Sequence, residues 1–317
     1  MTRRGLVLGA GGVLGASWTI GALHALQETT GWDPREAEVI IGTSAGSVLA
    51  AFLGSGISVG QLLDHQRGIT QPGDPVIEYD VDSTAALPLM PKLGLGSARL
   101  VATVARHPRK VTPLGALAGI APKGRTSLAP VGALVEAIAP RGTWATHPHT
   151  WIVAMDYDTG KRVPFGREGS PSAGLSDAVM ASCAIPGWYA PVEIGGRRYV
   201  DGGACSPTSV DLVIPLGLDE VFVLSPMTSF DYDKPTSRLG KVERQFRRLV
   251  TRRLIKEAVK VRHSGTAVVM LGPGTEDLEA IGANLMDARR RDRVLETSLR
   301  TSAETLRKHY PGYAAAG

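Results

Sequence analysis

"LVLGAGGVLGAS" (Leu6–Ser17) and "VIIGTSAGSVLA" (Val39–Ala50) decide the fold between them. Each is an apolar run, a glycine cluster and an Ala/Leu-rich continuation, as expected of a buried strand that turns into a helix. In the first unit the helix is predicted over Ala16–Gln27, with Trp18, Ile20, Leu23 and Leu26 available to the core. Two such units in succession predict an α/β layer fold on a largely parallel sheet.

The first glycine cluster has two readings. Gly9, Gly11 and Gly15 approximate a dinucleotide fingerprint, which needs an acidic residue near the end of the second strand to bind a ribose hydroxyl. Here the second strand ends at Ile41 and runs into Gly42, Thr43 and Ser44, with neither a carboxylate nor a cation. The residues standing there form G-x-S-x-G (Gly42–Gly46), which between a strand and a helix is a nucleophile elbow. The tight turn aims the serine hydroxyl at the positive end of the following helix, which favours a developing negative charge.

A nucleophilic serine needs a base and an oxyanion hole. Ser44, Asp201 and His263 occur in the order of an α/β-hydrolase triad. However, only one strand precedes this elbow, and His263 closes a basic helical stretch rather than a strand-to-helix loop. No histidine (His24, His65, His107, His147, His149, His263, His309) is assigned to catalysis.

With 317 residues, 43% hydrophobic and 21% charged, the chain can bury a sizeable core, and it shows no internal repeat. Cys183 and Cys205 have no metal-ligand spacing and read as buried thiols in a reducing compartment. No metal or cofactor is expected. The uncharged stretch Gly5–Gln27 follows Arg3 and Arg4 as an export signal would, but its six glycines and its histidine fit a buried strand, turn and helix better. The expected location is therefore cytoplasmic or peripheral at a membrane.

Residues 70–123 hold seven prolines and read as an irregular insertion with one or two short helices, placed to act as a lid. A helix is expected over Thr126–Ala139 and a hairpin over "TWIVAMDYDTGKRVPF", with strands in "RRYVDGGACSP" and "EVFVLSP". Lys234–Arg262 carries eleven Lys or Arg against two acidic residues. Val242, Phe246, Leu249, Val250 and Leu254 recur along it at helical spacing. The expected organisation is a catalytic domain over 1–275 and a charged helical extension over 276–317 that packs on its outside.

With the glycine loop, Gly42-Thr43-Ser44-Ala45-Gly46 and Asp201-Gly202-Gly203 in that order, the sequence resembles the patatin-like phospholipase family. "SDAVMASCAIPGWYAPV" ahead of "YVDGG" adds to the likeness, which spans about the first 60 residues and about residues 145–225. The resemblance implies a three-layer α/β/α fold and a Ser-Asp dyad without a catalytic histidine. Ser44 would be the nucleophile, Asp201 the base, and the N–H groups of Gly11 and Gly12 the oxyanion hole. Gly9, Gly15, Gly42, Gly46, Gly202 and Gly203 would support these motifs. Two departures stand out: Ala10 replaces a glycine of the family loop, and Leu14 replaces its basic residue.

These readings make the chain a lipid acyl hydrolase acting on acyl esters through an acyl-enzyme. The alternatives are an inactive membrane-binding adaptor of the same fold and a dinucleotide-binding oxidoreductase. The basic helix suits an anionic membrane surface, or equally a solvated helix held by its apolar stripe. With a net charge of +5 but only 5% aromatics and no matching motif, nucleic acid is not an expected partner. The sequence leaves the oligomeric state open.

Overall fold

A computed structural model describes residues 2–69, 94–108, 111–230, 238–310 and 312. The first part of the 70–123 insertion, residues 70–93, lies outside this set, as do residues 234–237 at the start of the basic stretch.

The strands are β1 (Arg4–Leu8), β2 (Val39–Thr43), β3 (Thr150–Asp156), β4 (Arg162–Phe165), β5 (Val192–Ile194), β6 (Arg197–Asp201), β7 (Glu220–Leu224) and β8 (Ala267–Leu271). They form one sheet in the order β5-β6-β3-β2-β1-β7-β8, with β4 paired to β3 off this path. The run from β3 to β8 is parallel, whereas β4, β5 and β6 pair antiparallel. The expected hairpin is thus β3–β4. β5, only three residues long, carries too little pattern to read from sequence, and β8 is not among the predicted strands either.

The helices are α1 (Gly12–Thr30), α2 (Ala45–Gly54), α3 (Val59–Gln66), α4 (Ala98–Arg106), α5 (Pro113–Ile120), α6 (Ala129–Glu136), α7 (Leu175–Cys183), α8 (Arg238–His263), α9 (Thr275–Ile281) and α10 (Arg291–His309). Side chains alternate across each strand, and that alternation sorts the helices into two layers. Leu6, Leu8, Ile40 and Phe222 face one side with residues of α1, α2, α7 and α10. Val7, Ile41, Val153 and Val223 face the other with Leu254, Ala258 and Val261 of α8. The architecture is a three-layer α/β/α sandwich around a mostly parallel sheet.

Two helices differ from the sequence reading. α1 begins at Gly12, inside the glycine loop and four residues ahead of the predicted start, so the loop's N–H groups belong to a helix N-terminus. In α8, Val250 and Leu254 are buried as expected, but Leu249 is 61% exposed. The buried face runs instead through Arg247, Val250, Thr251, Leu254, Glu257, Ala258 and Val261, and Leu249 lies off that 3.6-residue stripe. The Val242 side chain lies outside the described set.

Two charges on the buried face of α8 are used internally. Arg247 donates to the Pro226 carbonyl (2.6 Å), and Glu257 accepts from the Ser206 hydroxyl (2.8 Å) and from Arg253 (2.7 Å). α8 therefore holds two loops that pack around the glycine loop. On the other layer α10 is buried against α1, with Val294, Leu295, Ser298 and Leu306 inaccessible and Ser298 donating to the Trp18 carbonyl (2.6 Å).

Candidate active site

Sheet register brings Ser44 and Asp201 together from distant parts of the sequence. Thr43, the last residue of β2, pairs with Val153 of β3, and Asp201, the last residue of β6, pairs with the next β3 residue, Ala154. β3 thus sets both side chains at one level of the sheet.

Ser44 sits between β2 and α2 with φ 53° and ψ −125°, a region L-residues avoid at a cost of about 1–3 kcal/mol. Its N–H donates to the Ser182 hydroxyl (2.8 Å), which donates onward to the Val153 carbonyl (2.6 Å). Ser182 is fully buried and acts as a pin between the strained turn and β3. Its own stretch of sequence gives it no role, because its partners come from two other elements. Ser182→Ala leaves the Ser44 N–H and the Val153 carbonyl without this partner. It should cost about 1–3 kcal/mol in denaturant titrations. A looser elbow should also lower kcat roughly tenfold. Unchanged values of both would show that the pin is dispensable.

Asp201 is only 6% exposed. Burial pushes its pKa up from 3.8 to about 6; the Gly203 N–H (2.7 Å) and a hydrogen bond from the Ser44 side chain pull the other way. No histidine acts on this carboxylate among the described residues, and His263 stands exposed at the end of α8, in the other layer. Gly202 and Gly203 follow Asp201 as a short 3-10 turn, close enough to Val153 that a Cβ on Gly202 would lie 2.3 Å from its carbonyl oxygen.

The glycine loop divides its N–H groups. Gly9 donates to Leu224 (2.9 Å), Ala10 to Pro207 (2.8 Å), Leu14 to Leu285 (3.0 Å) and Gly15 to Gly11 (2.9 Å). Those of Gly11, Gly12 and Val13 have no acceptor among the described residues. They are the orphan donors of the first turn of α1, where the helix dipole is positive. Gly12 has φ +61°, which only glycine adopts cheaply, and a Cβ there would lie 3.0 Å from the Met286 sulfur. Of the two departures from the family loop, the one at Leu14 has a physical account. Leu14 is fully buried in the core, and its N–H is anchored by Leu285 from the C-terminal part of the chain.

Gly12, Val13, Ser44 and Ala45 all line one cavity of about 160 Å³. The N-termini of α1 and α2 thus meet there. Ile20, Val48, Leu49, Phe52 and Val131 make the rest largely apolar, as a hydrocarbon chain requires. Cys183 also lines it, but burial and the Asp201 charge push its thiol up to about 12, so it stays protonated. Cys205 is likewise raised to about 12 by burial. His65, Tyr189 and Arg291 are the other titratable groups of the wall, and the sequence assigns none of them a role.

A strained serine on a strand-to-helix turn, a buried carboxylate and the unspent N–H donors of a helix N-terminus are therefore gathered in one part of the molecule. A family model described as patatin-like phospholipase matches residues 6–214. The chain belongs to that family, a family of lipid acyl hydrolases. Among solved structures it is similar to VipD from Legionella pneumophila, at 13% identity and a TM-score of 0.44, over 98% of this chain and 67% of that one. It is also similar to the type III effector protein ExoU, at 17% identity and a TM-score of 0.39, over 97% of this chain and 53% of that one. The chain thus spans about half to two thirds of the length of these structures.

Proposed function

We propose that the chain is a serine lipid acyl hydrolase of the phospholipase A or esterase type, working through a Ser44–Asp201 dyad. The observation that carries this reading is the strained Ser44 held beside a sealed carboxylate with a pKa of about 6, at the end of an apolar cavity. A carboxylate raised that far is a competent base near neutral pH. The Ser44 hydroxyl attacks the ester carbonyl while its proton passes to Asp201, and the proton then goes to the departing alcohol. Asp201 then takes a proton from a water that attacks the acyl-enzyme, and it returns that proton to the Ser44 oxygen as the acyl–oxygen bond breaks and the acid leaves. The N–H groups of Gly11 and Gly12 receive the carbonyl oxygen as it becomes an oxyanion. Donors of this kind are worth about 3–4 kcal/mol each in comparable sites. No cofactor or metal enters this scheme.

The glycine loop is a poor dinucleotide site on the same geometry, since two of its early N–H groups are spent on Leu224 and Pro207. A peripheral role for α8 at an anionic membrane also belongs to this proposal. Leu249, Ile255 and Val259 are exposed on it among Arg252, Lys256 and Lys260. No helix among the described residues is long and apolar enough to cross a membrane.

A fluorophosphonate probe tests the nucleophile. The chain should be labelled at Ser44, with mass-spectrometric mapping to the peptide that contains it, and Ser44→Ala should not be labelled. A wild-type chain that takes no probe and cleaves no acyl ester, with lipid vesicles present, would favour the membrane-binding adaptor instead.

A further inference from the structure

The catalytic cavity has a wall from outside the matched family region. Leu285 anchors the glycine loop, Met286 packs on Gly12, and Met286 and Arg291 both face the cavity. Arg291 is half-buried there. Among the cavity's described lining residues it is the one permanently charged side chain.

Its neighbours show that it is unusual. Arg289 pairs with Asp287 (2.8 Å), and Arg290 donates to the Ala280 carbonyl (3.1 Å) besides facing Asp287 (3.6 Å). Arg291 makes no ion pair and no side-chain hydrogen bond with any described residue. It is also the first residue of α10, where a cation opposes the helix dipole. Neither local folding nor packing accounts for it. The glycine loop offers no competing charge, since Leu14 is buried in the core.

We propose that Arg291 is a specificity-determining residue that binds an anionic oxygen group, a phosphate next to the scissile ester, on the acyl-ester substrate. This rests on the lipid hydrolase reading above. Ser44 and Arg291 line the same cavity, and a glycerophosphate ester carries its phosphate only a few bonds from its acyl carbonyl. The guanidinium is a planar fork of donors suited to such a group, and the largely apolar surroundings leave it little solvent competition.

The test compares 1-oleoyl lysophosphatidate with 1-oleoylglycerol, which share acyl chain and ester and differ by the phosphate. For the wild type, kcat/KM should favour the phosphate ester. In Arg291→Gln that preference should fall about tenfold, with the change in KM rather than kcat. Arg291→Lys should restore part of it. Arg293→Gln, an exposed arginine on the same helix, should leave the preference as it is. A preference untouched in Arg291→Gln, with Ser44 still labelled by fluorophosphonate, would overturn the assignment and leave the hydrolase reading standing. So would a loss confined to inhibition by free oleate, which would place Arg291 on the product carboxylate. A wild type that is neither labelled nor active would overturn the hydrolase reading and this assignment with it.

Discussion

Asp201→Asn is expected to stop turnover and at the same time to make the folded chain more stable at pH 8. The carboxylate has its pKa raised from 3.8 to about 6, chiefly by burial. The folded chain therefore binds a proton more tightly than the unfolded one. Below pH 3.8 both states are protonated and the group is neutral in each. Between pH 3.8 and about 6 the unfolded chain gives up the proton while the folded chain keeps it, so stability is lost as pH rises through this window. A rise from 3.8 to about 6 corresponds to roughly 3 kcal/mol, all of it lost above pH 6. Asparagine cannot ionise, and its side-chain oxygen can still accept from the Gly203 N–H. The variant should gain on the order of 3 kcal/mol over wild type in denaturant titrations at pH 8, and the gain should vanish near pH 4. Turnover should fall roughly 10³-fold because the base is gone. In the wild type, kcat/KM should rise with pH across about 6 and then level off, since Asp201 must be ionised to take the serine proton. A variant no more stable at pH 8, or one that still turns over, would remove Asp201 from the role of buried base.

This trade between stability and reactivity follows from where the sheet puts the group. A carboxylate at the end of an edge strand in water would be a weak base at neutral pH. Asp201 is instead walled in by Ser44, by Gly203 and by the Ala154 backbone it pairs with.

Sequence patterning made some parts of the site legible and hid others for a physical reason. Ser44 could be read because a strained turn between strand and helix demands small neighbours at fixed spacing, and Gly42 and Gly46 supply them. Asp201 could be read only through motif order, since its pairing with β3 is set by register and leaves no local trace. Ser182 and Leu285 act by bonding to backbone of distant elements, and Arg291 by reaching a cavity built mainly from α1, α2, α3 and α6. Nothing in their own surroundings in the sequence marks them. The basic helix shows the same divide: its periodicity announced α8, but which arginine is buried depends on the loop carbonyl that Arg247 meets.

Gly46→Ala should be the most damaging single-methyl change in the site. Gly46 is the second residue of α2, and a Cβ there would stand 2.2 Å from the Leu8 carbonyl oxygen, 2.5 Å from its carbon and 2.7 Å from the Gly9 oxygen. All three are backbone atoms at the point where β1 enters the glycine loop, so no rotamer change relieves the clash. Either α2 moves off the sheet, carrying the Ser44 turn with it, or the end of β1 moves and shifts the N–H groups of Gly11 and Gly12. Overpacking of this kind costs about 3 kcal/mol or more, a large part of a typical domain's stability. The same displacement separates the nucleophile from its oxyanion donors, so whatever folds should be nearly inactive. Gly60→Ala is the matched comparison. Gly60 lies exposed in α3, and the nearest atom to its Cβ would be 3.8 Å away. There the same methyl group should stabilise the chain by roughly 0.5–1 kcal/mol, because alanine loses less backbone entropy on entering a helix. Thermal melts of the two variants should therefore shift in opposite directions from wild type, and only Gly46→Ala should lose fluorophosphonate labelling. A Gly46→Ala protein that melts with wild type and is labelled as fast would mean that the close approach of α2 to β1 does not hold the elbow against the oxyanion loop.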